Sequence, residues 1–178
     1  VFPMAFEEGP DLGSRLAEWP VTHCVKLLAP IRADDPDELN ARNEREIVRL
    51  ADACRRTGHE FLFEIVTGNN GKATAPDQVL ALMRRYYDLG VAPDWWKLEP
   101  VEDAGFWTAA GDIVRANDPH LQGIIVLGKE MPEEELGRVL AMARTEPLVN
   151  GFAIGRTIFS KAAQAWFCLL YTSPSPRD

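Results

Sequence analysis

Asp94-Trp95-Trp96-Lys97-Leu98-Glu99-Pro100 is the stretch on which the fold turns. Trp95 to Leu98 is a short apolar run stopped by proline, which reads as a buried strand. Lys97 and Glu99 lie two residues apart on it and therefore share one face. Two other runs carry the same anomaly: Lys26 within His23-Cys24-Val25-Lys26-Leu27-Leu28-Ala29, and Glu64 within Phe61-Leu62-Phe63-Glu64-Ile65-Val66. An unpaired ion is costly to bury, so such charges either pair with one another or do chemistry.

Further short apolar runs lie at Phe2 to Phe6, Ile124 to Leu127 and Phe152 to Ile154. Amphipathic stretches separate the runs. One begins near Asp35-Pro36, carries Leu39, Ile47, Leu50 and Cys54, and has Gly58 placed to end it. Another opens at Pro76, holds Val79, Leu80, Met83 and Tyr87, and closes at Gly90. Two more run from about Ala104 to Ala116 and, behind Pro132, through Leu136, Val139, Leu140 and Ala143. Strand and helix alternate, which predicts an α/β fold with a parallel sheet and right-handed crossovers.

Charges near the C-terminal ends of successive strands favour a TIM barrel over a dinucleotide-binding fold, and no Gly-x-Gly-x-x-Gly turn follows an early strand. The ending Gly151-Phe152-Ala153-Ile154-Gly155-Arg156-Thr157 would bring Gly155 and Arg156 to a strand tip, as a barrel phosphate site requires. A whole barrel takes roughly 250 residues, so six strands in this length predict a partial (β/α)8 barrel.

The composition fits one globular domain: 178 residues, 46% hydrophobic and 26% charged. A net charge of −8 without a Lys/Arg cluster speaks against nucleic acid and against an anionic membrane surface, and leaves a small molecule as the expected partner. No signal peptide or membrane span is read, so the cytoplasm is the default location. Cys24, Cys54 and Cys168 have no Cys-x-x-Cys spacing, and Cys24 and Cys54 read as packing residues. The three histidines, His23, His59 and His120, fall before strands rather than after them, the wrong end of a barrel for a catalytic zinc, so no metal is expected. Nothing identifies an acidic partner for a pyridoxal phosphate ring, and no cofactor is expected. The segment 168–178 is Ser/Pro-rich without period and resembles translated sequencing-adapter DNA. It is set aside from the domain at 1–167 as non-native.

From about Phe2 to Phe167 the chain resembles the aldolase-type (β/α)8 domain fused to 5-dehydro-2-deoxygluconokinase in bacterial inositol-catabolism proteins. More distantly it resembles the class I tagatose-bisphosphate aldolases. The resemblance is carried by Phe6-Glu7-Glu8, the stretch from Trp19 to Lys26, Asp34-Asp35-Pro36, Phe61 to Ile65, Tyr87 to Pro100, Gly123 to Gly128 and Gly151 to Phe159. It implies that about strands 3 to 8 of the barrel are present. Strands 1 and 2, and a fused sugar kinase, would lie upstream, and the resemblance leaves room for a homo-oligomer.

The resemblance also implies roles. Lys97 would form a Schiff base with a substrate ketone, Glu64 would move protons, and Lys26 would be the neighbouring cation. Glu99 would orient the Lys97 amine or shuttle protons. Attack needs a neutral amine, which a dry surround from Trp95 and Trp96 and a nearby cation would favour. Gly128, Gly155 and Arg156 would hold the substrate phosphate. Glu7 would be a further substrate contact. The reaction would be cleavage of a 5-dehydro-2-deoxy-phosphogluconate type compound to dihydroxyacetone phosphate and malonate semialdehyde, with the truncated fragment inactive alone. One departure stands out: the more distant aldolases carry Ser-Ala-Gly where this chain has Gly128-Lys129-Glu130.

Plainer readings stand beside these. Lys26, Glu64, Lys97 and Glu99 could form a structural ion-pair ladder, Arg156 could cap a helix, and Glu7 could be a loop charge. The tryptophans could be packing, and Asp34 and Asp35 helix N-caps. A noncatalytic barrel that binds a sugar phosphate or accompanies the kinase is the alternative function.

Overall fold

A computed structural model of the chain describes residues 3–68 and 73–172, the side chains at 156, 157, 161 and 169–172 excepted. The apolar runs form β1 (Val25–Pro30), β2 (Phe61–Val66), β3 (Trp95–Leu98), β4 (Gly123–Leu127) and β5 (Val149–Ala153). The amphipathic stretches form α1 (Leu12–Ala17), α2 (Asp37–Thr57), α3 (Pro76–Asp88), α4 (Ala104–Asn117), α5 (Glu133–Ala143) and α6 (Arg156–Thr172).

All strands pair in parallel, in the order β1-β2-β3-β4-β5. The order never reverses, so right-handed crossovers put each connecting helix on the same side of the sheet. A doubly wound sheet would reverse at a switch point. The result is an α/β protein with the winding of a partial (β/α)8 barrel, open among the described residues, with β1 and β5 as its edges.

The core lies between sheet and helices. Val25, Leu27 and Ala29 of β1, Phe61, Phe63 and Ile65 of β2, and Trp96 and Leu98 of β3 are buried there. Phe63 stacks on Trp96 with ring centroids 5.1 Å apart and meets Tyr86 of α3 edge-on at 4.9 Å. Each such side chain contributes about 1.5–3 kcal/mol by leaving water. The alternate residues of β1, Lys26, Leu28 and Pro30, are exposed on the opposite face, the would-be barrel interior.

Helix ends follow local chemistry. Gly58 takes the left-handed conformation (φ +77°) and donates its N–H to Cys54 O, ending α2. Pro76 occupies the first turn of α3, where its missing N–H costs nothing. The N-cap of α2 is Pro36, which corrects the expectation for Asp34 and Asp35. Asp35 instead accepts from Arg32 N at 2.9 Å and Asp34 from the Arg32 guanidinium at 2.8 Å.

Two further expectations are corrected. Residues 3–6 of the run Phe2 to Phe6 are not a strand, and Phe2 lies outside the described residues. Pro3 cannot donate to a ladder, and Met4 N donates instead to Asn43 Oδ1 at 2.9 Å. Helix α1 was not anticipated. Cys24 is exposed, while Cys54 is buried as expected, and burial pushes its thiol up to about 12. Among the described residues, no helix is long and apolar enough to cross a membrane.

Candidate active site

The register of the sheet builds the site. Leu28, Glu64, Lys97, Ile125 and Gly151 are consecutive partners across the five strands, so Glu64 and Lys97 stand side by side on the face away from the helices. Lys26 lies opposite Leu62, one pleat lower on β1, and its long stem reaches up. Glu64 Oε2 receives Lys26 Nζ at 2.7 Å and Lys97 Nζ at 3.1 Å. Glu64 is 2% exposed, Lys97 13% and Lys26 42%. One buried carboxylate oxygen thus bridges two ammonium groups.

Above them opens a cleft of about 510 Å³, lined in part by Glu64, Lys97, Leu127, Gly128, Lys129 and Gly155. That is the size of a small-molecule site. Gly128 and Gly155 therefore line the same cleft as Lys97. The Arg156 backbone begins α6, but its side chain lies outside the described residues. Glu7 is not brought to this cleft; it is exposed in a turn and lines a separate surface depression with Arg15 and Trp19.

Glu99 has other partners than the sequence suggests. It is fully buried and its oxygens face the loops on either side of β3, not the Lys97 amine. Oε2 accepts from Thr67 N at 2.7 Å and Thr67 Oγ1 at 2.6 Å. Oε1 accepts from Gly68 N at 3.1 Å, from Thr74 Oγ1 at 3.0 Å, and from Lys129 Nζ. Burial pushes the carboxyl up, but the bonds from Lys129 and Thr67 outweigh it and hold the group below its ordinary value. Arg32 adds a second tie, donating to Thr67 O at 3.0 Å from the end of β1.

Lys129, Thr67, Gly68, Thr74 and Arg32 are the site residues that sequence reasoning passed over. Only Lys129 left a trace, as the departure after β4. Trp96 follows the packing reading: it is fully buried on the helix side and donates Nε1–H to Tyr87 Oη at 2.7 Å, so it packs the core rather than surrounding Lys97. Trp95 shares the face of Lys97 by the two-residue period and donates to Glu60 Oε2 at 3.2 Å.

His23, His59 and His120 precede β1, β2 and β4, at the end of the sheet opposite the cleft. Among the described residues no group of three or more His, Cys, Asp or Glu could hold a metal ion.

No curated protein matches the sequence. The pattern of DUF2090, described as an uncharacterized protein conserved in bacteria, matches residues 1–170. That span takes in every strand of the sheet and every residue of the cleft, and the chain accordingly belongs to the DUF2090 family.

Proposed function

We propose that this chain is the aldolase-type (β/α)8 domain of a class I carbon-carbon lyase, with Lys97 as the Schiff-base residue. The observation that carries the reading is the single oxygen of buried Glu64 lying 3.1 Å from Lys97 Nζ and 2.7 Å from Lys26 Nζ, at the floor of an open cleft. Two cations on one carboxylate exceed what a structural ion pair needs. The arrangement supplies a nucleophile, an adjacent proton acceptor and a charge that holds the acceptor in place.

The chemistry follows from those positions. Glu64 takes one proton from the Lys97 ammonium, and the neutral nitrogen attacks the ketone carbon. The former carbonyl oxygen receives that proton and a second one from the nitrogen and departs as water, leaving an iminium ion and Glu64 ionised again. Glu64 accepts the proton of the hydroxyl β to the iminium carbon. The bond between the α and β carbons breaks, its electron pair moves into the iminium to give an enamine, and the β fragment leaves as an aldehyde. A proton returned to the α carbon and hydrolysis of the imine release the second product and restore the amine. Lys26 keeps Glu64 oriented while Lys97 is covalently engaged. Gly128 and Gly155, which line the same cleft, are the positions this reading gives to the substrate phosphate.

For the substrate we propose a phosphorylated keto-sugar acid of the 5-dehydro-2-deoxy-phosphogluconate type, giving dihydroxyacetone phosphate and malonate semialdehyde. The reading includes a barrel completed by upstream strands, a sugar kinase fused ahead of it, and work in the cytoplasm. It calls on no metal or cofactor.

The test is chemical trapping. The full-length protein, treated with dihydroxyacetone phosphate and borohydride, should gain the mass of the reduced adduct on the peptide containing Lys97, and Lys97→Met should abolish it. Binding of the phosphorylated ketone without any adduct would favour the noncatalytic sugar-phosphate-binding domain instead.

A further inference from the structure

The loop after β4 holds an unusual backbone. Met131 N donates to Gly128 O at 3.0 Å, and both residues between them have positive φ, +51° at Lys129 and +58° at Glu130. That is the pattern of a type I′ turn. Its central positions ordinarily go to Gly, Asn or Asp, because a Cβ there crowds the following carbonyl. Two longer side chains held in this conformation point to something those side chains supply.

For Lys129 the supply is visible. Its stem crosses from the β4 loop to the β2 loop, where Nζ donates to Thr74 Oγ1 at 2.8 Å and to Glu99 Oε1. Glu99, just past the end of β3, holds Thr67 and Gly68 with its remaining capacity. One buried carboxylate and one lysine therefore join the rim above three adjacent strands. Gly68 is shaped to permit it: a Cβ there would collide with Lys129 Nζ and lie 2.7 Å from Thr74 N. Gly128, the first residue of the turn, lines the cleft with Lys97 and Gly155.

We propose that Lys129 and Glu99 form a latch across the rim, and that Lys129 is a positioning residue that holds Gly128 and its turn ready for the anionic end of a phosphorylated ketone. Backbone donors fixed in advance bind an anion without first paying the entropy of ordering a loop. The identity of the ligand rests on the Schiff-base reading above; the latch itself does not.

Two variants of the full-length protein test it. Lys129→Gly removes the latch and relieves the backbone, whereas Lys129→Met removes the latch and keeps the strain. Amide exchange at Thr67 and Gly68 should quicken in both by about tenfold; unchanged exchange would overturn the latch whether or not an imine forms. The dihydroxyacetone phosphate concentration for half-maximal borohydride trapping at Lys97 should rise about tenfold in both, with the shift in that concentration rather than in the maximal rate. Uncharged dihydroxyacetone should show no such rise, and Lys129→Arg should recover part of the loss. Equal rises for both ketones, or none for either, would overturn the positioning role. Should the unsubstituted protein trap nothing, the Schiff-base reading fails, and the same comparison is made by calorimetry with dihydroxyacetone phosphate. A variant affinity equal to the unsubstituted protein's, or no measurable affinity in either, then overturns the positioning role.

Discussion

Glu64→Gln removes one charge while keeping shape, and its cost can be worked from the geometry. With legs of 2.7 and 3.1 Å to a common oxygen, the Nζ atoms of Lys26 and Lys97 are at most about 5.8 Å apart, and without the carboxylate they repel by about 3 kcal/mol at an effective dielectric near 20. Lys26 is 42% exposed and can swing into water, which reduces its share to below about 1 kcal/mol. Lys97, 13% exposed, cannot, and stranding a buried partner costs roughly 3–5 kcal/mol, here at the low end. The sum is a destabilisation of about 3 kcal/mol, a large part of the roughly 5–15 kcal/mol that keeps a domain folded. In urea, with a slope of about 2 kcal/mol per molar, the unfolding midpoint should fall by about 1.5 M. Tryptophan fluorescence reports it well, since Trp96 and Trp107 are fully buried. Adding Lys26→Met should recover part of the loss by removing the repulsion. A Glu64→Gln midpoint equal to the unsubstituted protein's would refute the view that this carboxylate holds both amines.

Two further outcomes follow from the rim. Gly68→Ala should destabilise by about 1–3 kcal/mol, because the lysine end can move but the Thr74 backbone, 2.7 Å from the new Cβ, cannot. An unchanged melting temperature would count against that packing. The Glu99 carboxyl is held below its ordinary value of 4.5, so its stabilising contribution is complete above that pH and is lost as the pH falls through the depressed folded-state value. Melting temperatures from about pH 6 to pH 3 should therefore fall more steeply for the unsubstituted protein than for Glu99→Gln, which starts lower. Parallel acid limbs would contradict the sign.

The meeting of Glu64 with Lys97 was legible because it needs only local rules. Parallel strands in sequence order lie side by side, and a two-residue period assigns each side chain to a face. The same period placed Glu99 on the Lys97 face, yet its oxygens turn to Thr67, Gly68, Thr74 and Lys129. Glu99 lies past the last strand residue, where loops rather than the pleat decide which donors arrive. Trp96 packs in the core, not around Lys97, because adjacency to Lys97 in sequence puts it on the other side of the sheet. The Phe2 to Phe6 run had strand composition but, over its described residues, no ladder to join, since a strand exists only through a neighbour.

What the amino-acid order determined by itself was the alternation of strand and helix, the sequential parallel sheet, and the three charges Lys26, Glu64 and Lys97 on its inner face. All of these follow from periodicity and chirality acting over short spans. Tertiary structure alone decided the rim, where Lys129 and Glu99 meet across 30 positions of chain and Lys129 and Thr74 across 55. Such contacts depend on loop paths, and a loop path depends on which backbone groups elsewhere still need partners, which no local pattern encodes.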